Sequence, residues 1–203
     1  GEGYLAGLLI GDGTIKEDKV ILSSWGEEDG SKAVRILAYS YAKDMPHRSD
    51  FQGWVKVKGR DEYRMATGYL KELTKNFGLK SGAKQLTETM EKASSSFCKG
   101  LLKGLFDTDG SVQGKQAKGV SVRLAQSNLN TLKTAQRLML RFGIFSTIYV
   151  NRRVGGYAQM PDGKGGTKHF HQKPQHELAI SKDNLQVFQE KIGFGNSDKR
   201  DKL

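Results

Sequence analysis

Leu5-Ala-Gly-Leu-Leu-Ile-Gly-Asp-Gly13 and Leu102-Lys-Gly-Leu-Phe-Asp-Thr-Asp-Gly110 are two versions of one phrase, and their pairing decides the fold. Asp12 falls on Asp109, an offset of 97 residues. Further out, Leu70–Lys84 resembles Leu185–Lys199 at an offset of 115. The second half is therefore 18 residues longer between these anchors. Part of that surplus is expected in Gly114–Gly119. Most is expected in Gly155–Gln175, whose Gly, Lys and His content reads as a lengthened solvated loop.

Within each phrase the small residues are four apart: Gly7 and Gly11 in one, Gly100, Gly104 and Thr108 in the other. On a helix that spacing makes a smooth strip along which two backbones can approach closely. Leu5, Leu8 and Leu9, with Leu101, Leu102, Leu105 and Phe106, supply apolar contacts around it. Parallel packing would bring Asp12 and Asp109 together at one end. Two carboxylates there could hold hard divalent ions against phosphate oxygens.

Each half reads outward in the same order. Strands are predicted at 14–16 with 19–23, and at 111–113 with 120–126. An amphipathic helix follows, carried by Ala33, Val34, Leu37 and Tyr41, or by Leu132, Ala135, Leu138, Met139 and Phe142. Strands 54–58 with 62–67, and 146–153 with 177–181, come next. Terminal helices at 69–77 and 184–192 stop at Gly78 and Gly193. Residues 79–96 connect the halves. The expected class is α/β (α+β), with two pseudo-symmetric αββαββα halves, 1–97 and 98–203, forming a saddle with antiparallel sheets.

Charge points to the partner. The 203 residues hold 33 Lys and Arg against 22 Asp and Glu, a net +11. The first 97 carry 15 basic and 14 acidic side chains, the remainder 18 and 8. Such an excess favours a polyanion, nucleic acid first. No apolar run approaches the roughly 18–20 residues of a membrane span. Gly1-Glu-Gly-Tyr4 lacks the basic start of a secretion signal. Cys98 is alone, so no disulfide framework is expected and an intracellular, reducing compartment is.

Strand alternation nominates contacts. Lys56, Lys58 and Arg60 are expected on one face, opposite Val55 and Val57; Ser121 and Arg123 oppose Val120, Val122 and Leu124. Thr147, Tyr149, Asn151 and Arg153 alternate with Ile148 and Val150. Ribbons of this kind fit the DNA major groove. Lys16, Lys19, Ser24, Arg64, Lys115, Lys118, Lys164 and Lys168 complete the candidate DNA contacts. His169, His171 and His176 lack a nearby cysteine and fit a phosphate-touching loop better than a zinc site. An EF-hand at Asp107 fails, because its glycine falls at the fourth position rather than the sixth.

The doubled motif resembles the paired signature of LAGLIDADG homing endonucleases, and the resemblance covers essentially the whole chain. It implies a monomer that cuts double-stranded DNA across the minor groove and leaves short 3′ overhangs. It implies Mg2+ held by Asp12 and Asp109 with the carbonyls of Gly11 and Thr108, and a helix interface at Gly7, Gly11, Gly104 and Thr108. Relatives often carry a lysine or glutamine at the end of the second strand. Here those places hold Ser24-Trp25 and Gln126-Ser127, so Gln126 is the accessory candidate and no lysine is assigned. Lys103 stands where the first motif has Ala6. Asp107, opposite Ile10, reads as a helix-end residue. The ending from Glu177 to Leu203 resembles the closing segment of endonuclease domains embedded in inteins. With Gly1 first and no terminal His-Asn, splicing is not expected. The alternatives are an RNA-splicing maturase and a catalytically silent DNA-binding protein of the same fold.

Overall fold

A computed structural model of the chain describes residues 1–115, 119–161 and 167–203. Two helices, α1 (Glu2–Asp12) and α5 (Ser95–Asp109), pack in parallel at the centre. A side chain on Gly3 would strike the Phe97 carbonyl, on Gly7 the Leu101 carbonyl, on Gly104 the Tyr4 carbonyl, and on Gly11 the Thr108 hydroxyl. The small-residue strip is therefore a backbone-to-backbone seam, as the spacing predicted. Tyr4, Leu5, Leu8, Leu9, Leu101, Leu102, Leu105 and Phe106 around it are all buried.

Each half hangs a four-stranded antiparallel sheet from its helix. The first comprises β1 (Thr14–Ile15), β2 (Val20–Trp25), β3 (Val55–Lys56) and β4 (Glu62–Met65), in the order β1-β2-β4-β3. The second comprises β5 (Gly110–Lys115), β6 (Gly119–Gln126), β7 (Thr147–Arg153) and β10 (Gln175–Ser181), in the equivalent order β5-β6-β10-β7. Helices α2 (Asp29–Ala42) and α3 (Gly68–Asn76) serve the first sheet, α6 (Leu129–Leu140) and α7 (Asn184–Lys191) the second. Val20, Leu22 and Met65, and likewise Val122, Leu124, Leu178 and Ile180, point into the core beneath these helices. Gly78 (φ +70) and Gly193 (φ +60) stop α3 and α7 in the left-handed conformation that glycine tolerates.

Three features depart from the sequence expectation. The stretch expected as a long loop carries a hairpin, β8 (Gly156–Pro161) paired with β9 (Thr167–Gln172). Its strands mix polar, aromatic and glycine residues, so no clear period-two pattern announces them. Short helices α4 (Glu88–Glu91) and α8 (Ser197–Arg200) occupy the connector and the C-terminal segment. Because α5 starts at Ser95, with Ser94 Oγ accepting from the Phe97 amide, a division at 97/98 falls inside a helix.

Candidate metal centre and nucleic-acid interface

Asp12 and Asp109 are the last residues of α1 and α5. Gly13 and Gly110 then turn the chain hard against the helix ends, where a side chain would collide with the Leu9 or Phe106 carbonyl. Asp12 stays open to solvent while Asp109 is half-buried. Desolvation at the crowded seam raises both carboxyl pKa values, and the charge of Asp12 raises Asp109 further. Gln126 Nε2 donates to Asp109 Oδ2 at 2.5 Å, so the accessory candidate does reach the second aspartate. In the first half the equivalent strand end holds Ser24, Trp25 and Gly26, none of which carries a side-chain amide. Asp12 therefore has no amide counterpart.

Two lysines complete the centre. Lys84 Nζ donates to the carbonyls of Gly11 (3.1 Å) and Gly13 (2.5 Å). Lys199 Nζ donates to Phe106 (3.1 Å), Asp107 (2.6 Å) and Thr108 (3.3 Å). Each ammonium thus sits at the negative end of a helix dipole beside both aspartates. Burial lowers both lysine pKa values against the opposing pull of the carboxylates. The second repeat match ends on these two residues, which was the available signal. Read only at strand ends, as the resemblance suggested, it is missed.

Asp107 is more than a helix-end residue. It accepts from Tyr4 Oη (2.7 Å) and from the amides of Gly195 (2.9 Å) and Asn196 (3.0 Å). That clip fixes the segment delivering Lys199. Lys103 is half-buried, and burial lowers its pKa. A cavity of about 230 Å³ opens beside Asp12, with Ser24, Trp25, Thr108 and Lys199 in its wall.

The donor set fits a hard divalent cation. Two carboxylates and the Gly11 and Thr108 carbonyls are all oxygen donors, and ammonium groups already bond those two carbonyls as cation stand-ins. Among the described residues no group of three or more His, Cys, Asp and Glu forms a closed cage. Such a site needs water and a phosphate to complete an ion's shell.

Register sorts the remaining candidates. Residues directly opposite in antiparallel strands share a face. Ser23, Arg64 and Val55 form one row on the face away from the helices; Ser111, Arg123, Ala179 and Thr147 form its counterpart. Lys16, Lys19 and Arg64 line a groove of about 240 Å³ on the first sheet. Tyr149 and Arg153 also lie on this outer face, opposite Glu177 and Gln175.

Several candidates move. Lys56 belongs to the helix side, where it bonds Glu27 at 2.5 Å and lies 5.3 Å over the Tyr63 ring, while Val55 is 51% exposed on the outer face. Because β3 is only two residues long, the expected alternation never develops. Lys58 and Arg60 lie in the turn after it, and Arg60 curls back to within 3.8 Å of Glu62. Ser24 is buried and accepts from Arg35 (3.3 Å), so it is unavailable to DNA. Asn151 adopts φ +51 at a bulge and bonds His176 Nδ1 through its amide, which uses that imidazole. His171 packs edge-on against Tyr157, and His169 and Lys168 lie exposed on β9. Arg152, not nominated by the sequence, approaches Glu177 at 3.8 Å and stacks over Tyr149. Lys118, Lys164 and the Lys115 side chain lie outside the described residues.

Residues 96–193 match a family described as LAGLIDADG-like domain. Among curated proteins, the chain is 28% identical over 193 residues to the ribonucleoside-diphosphate reductase NrdEB subunit alpha of Bacillus subtilis, covering 89% of this chain and 18% of that protein. It is 26% identical over 144 residues to the DNA-directed RNA polymerase subunit Rpo1C of Methanocaldococcus jannaschii, covering 71% and 16%. Against the reverse gyrase of the same organism it is 22% identical over 194 residues, covering 93% and 10%. The chain thus spans less than a fifth of each of these proteins. Among solved structures, the homing endonuclease I-DmoI in complex with DNA and Mn superposes with a TM-score of 0.58 at 20% identity, covering 95% of each chain. The homing endonuclease I-WcaI bound to its DNA recognition sequence gives 0.56 at 13% identity, covering 100% and 84%.

Proposed function

We propose that this chain, with a LAGLIDADG-like domain matched in its second half and a fold like that of homing endonucleases over nearly its whole length, is a site-specific, metal-dependent DNA endonuclease of the LAGLIDADG type. The observation that carries the reading is the meeting of Asp12, Asp109, Lys84 and Lys199 at one end of the central helix pair. An inert binder gains nothing from two carboxylates whose ionisation desolvation makes costly.

In this reading the outer faces of the two sheets lie along the major groove of double-stranded DNA. The seam end then faces the minor groove at the centre of the site. Asp12 and Asp109, with the Gly11 and Thr108 carbonyls, hold divalent cations, Mg2+ in the first instance. Such ions activate water and stabilise the leaving oxygen of an in-line displacement. Gln126 orients the Asp109 carboxylate and a nearby water. Lys84 and Lys199 remain as fixed positive charges against the phosphate and its developing negative charge. One centre for each strand accounts for a double-strand break with short 3′ overhangs, made by a single chain whose halves replace the two subunits of a dimer.

The three curated relatives have unrelated catalytic tasks, yet each matches this chain over a small part of its length. An inserted domain carried by different hosts explains that pattern, which supports an intein as the origin.

The test is a cleavage screen. The chain is incubated with Mg2+ or Mn2+ and a plasmid library, then the ends are sequenced. Discrete double-strand cuts, abolished in Asp12→Asn/Asp109→Asn, are expected. Specific DNA binding without cuts under any divalent ion would leave the silent binder. Tight binding to intron RNA with no DNA cleavage would leave the maturase.

A further inference from the structure

Two acidic residues lie on the faces that meet DNA in the proposed function. Glu62 and Glu177 are 115 residues apart, the offset of the second repeat match, and lie across their ladders from Trp25 and Ala125. Their side chains are only 2% and 5% exposed. A buried negative charge on a surface meant for phosphate is unfavourable unless it is paired and serves an order of its own. Both are paired, and in a matched way. Arg64 bonds Glu62 through Nε (2.6 Å) and Nη2 (3.0 Å). Arg123 bonds Glu177 through Nη1 (2.8 Å) and Ser121 through Nε (2.9 Å). A second arginine stands 3.8 Å from each carboxylate, Arg60 in one half and Arg152 in the other.

The two arginines reach these equivalent acids from different strands. Arg64 is on β4, and its neighbour across the ladder is Ser23. In the second half, Arg123 is on β6, and its neighbour across the ladder, Ala179, takes the place of Arg64. A repeat that merely kept a salt bridge would keep it on one strand. Here the arginine has changed strands, a small residue fills the vacated position, and the Glu–Arg unit persists at the same spot.

We propose that Glu62 and Glu177 are positioning residues that hold Arg64 and Arg123 as pre-set guanine readers, one in each half of the DNA site. Arg64 is 45% exposed and Arg123 28%, so both guanidinium groups reach solvent while their carboxylates do not. With Nε and Nη2 of Arg64 bonded to Glu62, the Nη1–Nη2 end of the fork faces outward. Two parallel N–H donors there match the O6 and N7 acceptors of guanine in the major groove. On Arg123 the Nη2 group has no partner among the described residues. Holding the fork before DNA arrives removes part of the side-chain entropy lost on binding. Arg60 and Arg152 leave each cluster positive overall, so the acids do not repel the duplex.

This inference rests on the DNA-binding reading, and its test is independent of cleavage. Randomised duplexes are selected by binding to the full chain in Ca2+ and sequenced. A guanine preference is expected in each half of the selected site. Arg64→Lys keeps the charge but loses the fork, and is expected to erase the preference in one half with little change in salt dependence. Arg123→Lys does the same in the other half. Glu62→Gln and Glu177→Gln are expected to leave overall affinity within a few-fold, because each removes a negative charge, yet to weaken the matching preference at least about fivefold. Thermal melts confirm that each variant is folded, and the exposed Arg→Lys changes carry the test if a buried Glu→Gln does not fold. A selected site lacking a guanine preference in either half would overturn the proposal. So would an Arg→Lys change that leaves the base profile intact, or a folded Glu→Gln variant that weakens all sequences equally. Failure to enrich any sequence would instead reject the DNA-binding reading and this inference with it.

Discussion

Asp12 and Asp109 sit where the fold would not place charges for its own sake. Partial desolvation at the seam raises both pKa values, Asp12 being the more exposed, and the charge of Asp12 adds to the rise at the half-buried Asp109. A carboxyl group whose folded pKa lies above its unfolded one favours the fold when protonated and loses that contribution as pH climbs through the folded value. Asn does not titrate. Asp109→Asn is therefore expected to raise the melting temperature in metal-free buffer, at about 2–4 °C per kcal/mol gained for a chain of this size. The gain should be larger at pH 8 than at pH 5, and divalent cations should shrink it by stabilising only the wild type. Differential scanning calorimetry at both pH values decides; a lower melting temperature for the variant at both would contradict this. The aspartates were legible because a motif occurs twice. Lys84, Lys199 and Arg152 were not picked out, because a lysine or arginine at the surface looks the same in sequence whether it binds a helix end or only water. Asp107 was misread for a related reason: its partners, Tyr4, Gly195 and Asn196, are 88 or more residues away.

Among the elements, the seam between α1 and α5 sets everything else. Gly104→Ala adds a methyl that meets the Tyr4 carbonyl, the Leu8 amide and the Gly7 Cα, all backbone that cannot rotate aside. Better helix propensity gains about 1 kcal/mol, whereas overpacking loses roughly 1–3 kcal/mol and more against a rigid wall. A net destabilisation is expected. Gly68→Ala, at the start of α3 with open space around it, should instead stabilise by up to about 1 kcal/mol. Urea unfolding of the pair checks both signs. The seam was readable because small residues four apart have few other uses on a helix with this much leucine. The strands were readable where one face is buried, as in β6 and β10. β3 was misregistered, since two paired residues contain no period. The β8–β9 hairpin was missed because its Gly, Lys and His content reads as loop and its sequence shows no clear alternation.

Over the whole molecule, the repeat is kept at the centre and relaxed at the edges. Both sheets have one topology and both helices end in aspartate, while the hairpin extends only the second half. The charge excess is lopsided in the same sense, and it was visible in composition alone. Chain order and pseudo-symmetry were thus legible from the sequence. The identity of the outer-face residues was not, because it depends on register, and a slip of one residue exchanges the two faces. The central claim is that two aspartate centres, related by the repeat, each cut one strand. Mapping both strands of the cleaved target at nucleotide resolution tests it most directly. Two scissions placed symmetrically about the site's centre, staggered to leave short 3′ ends and both lost in Asp12→Asn/Asp109→Asn, are the expected result. Cuts without that symmetry, or cuts that persist in the double variant, would contradict it.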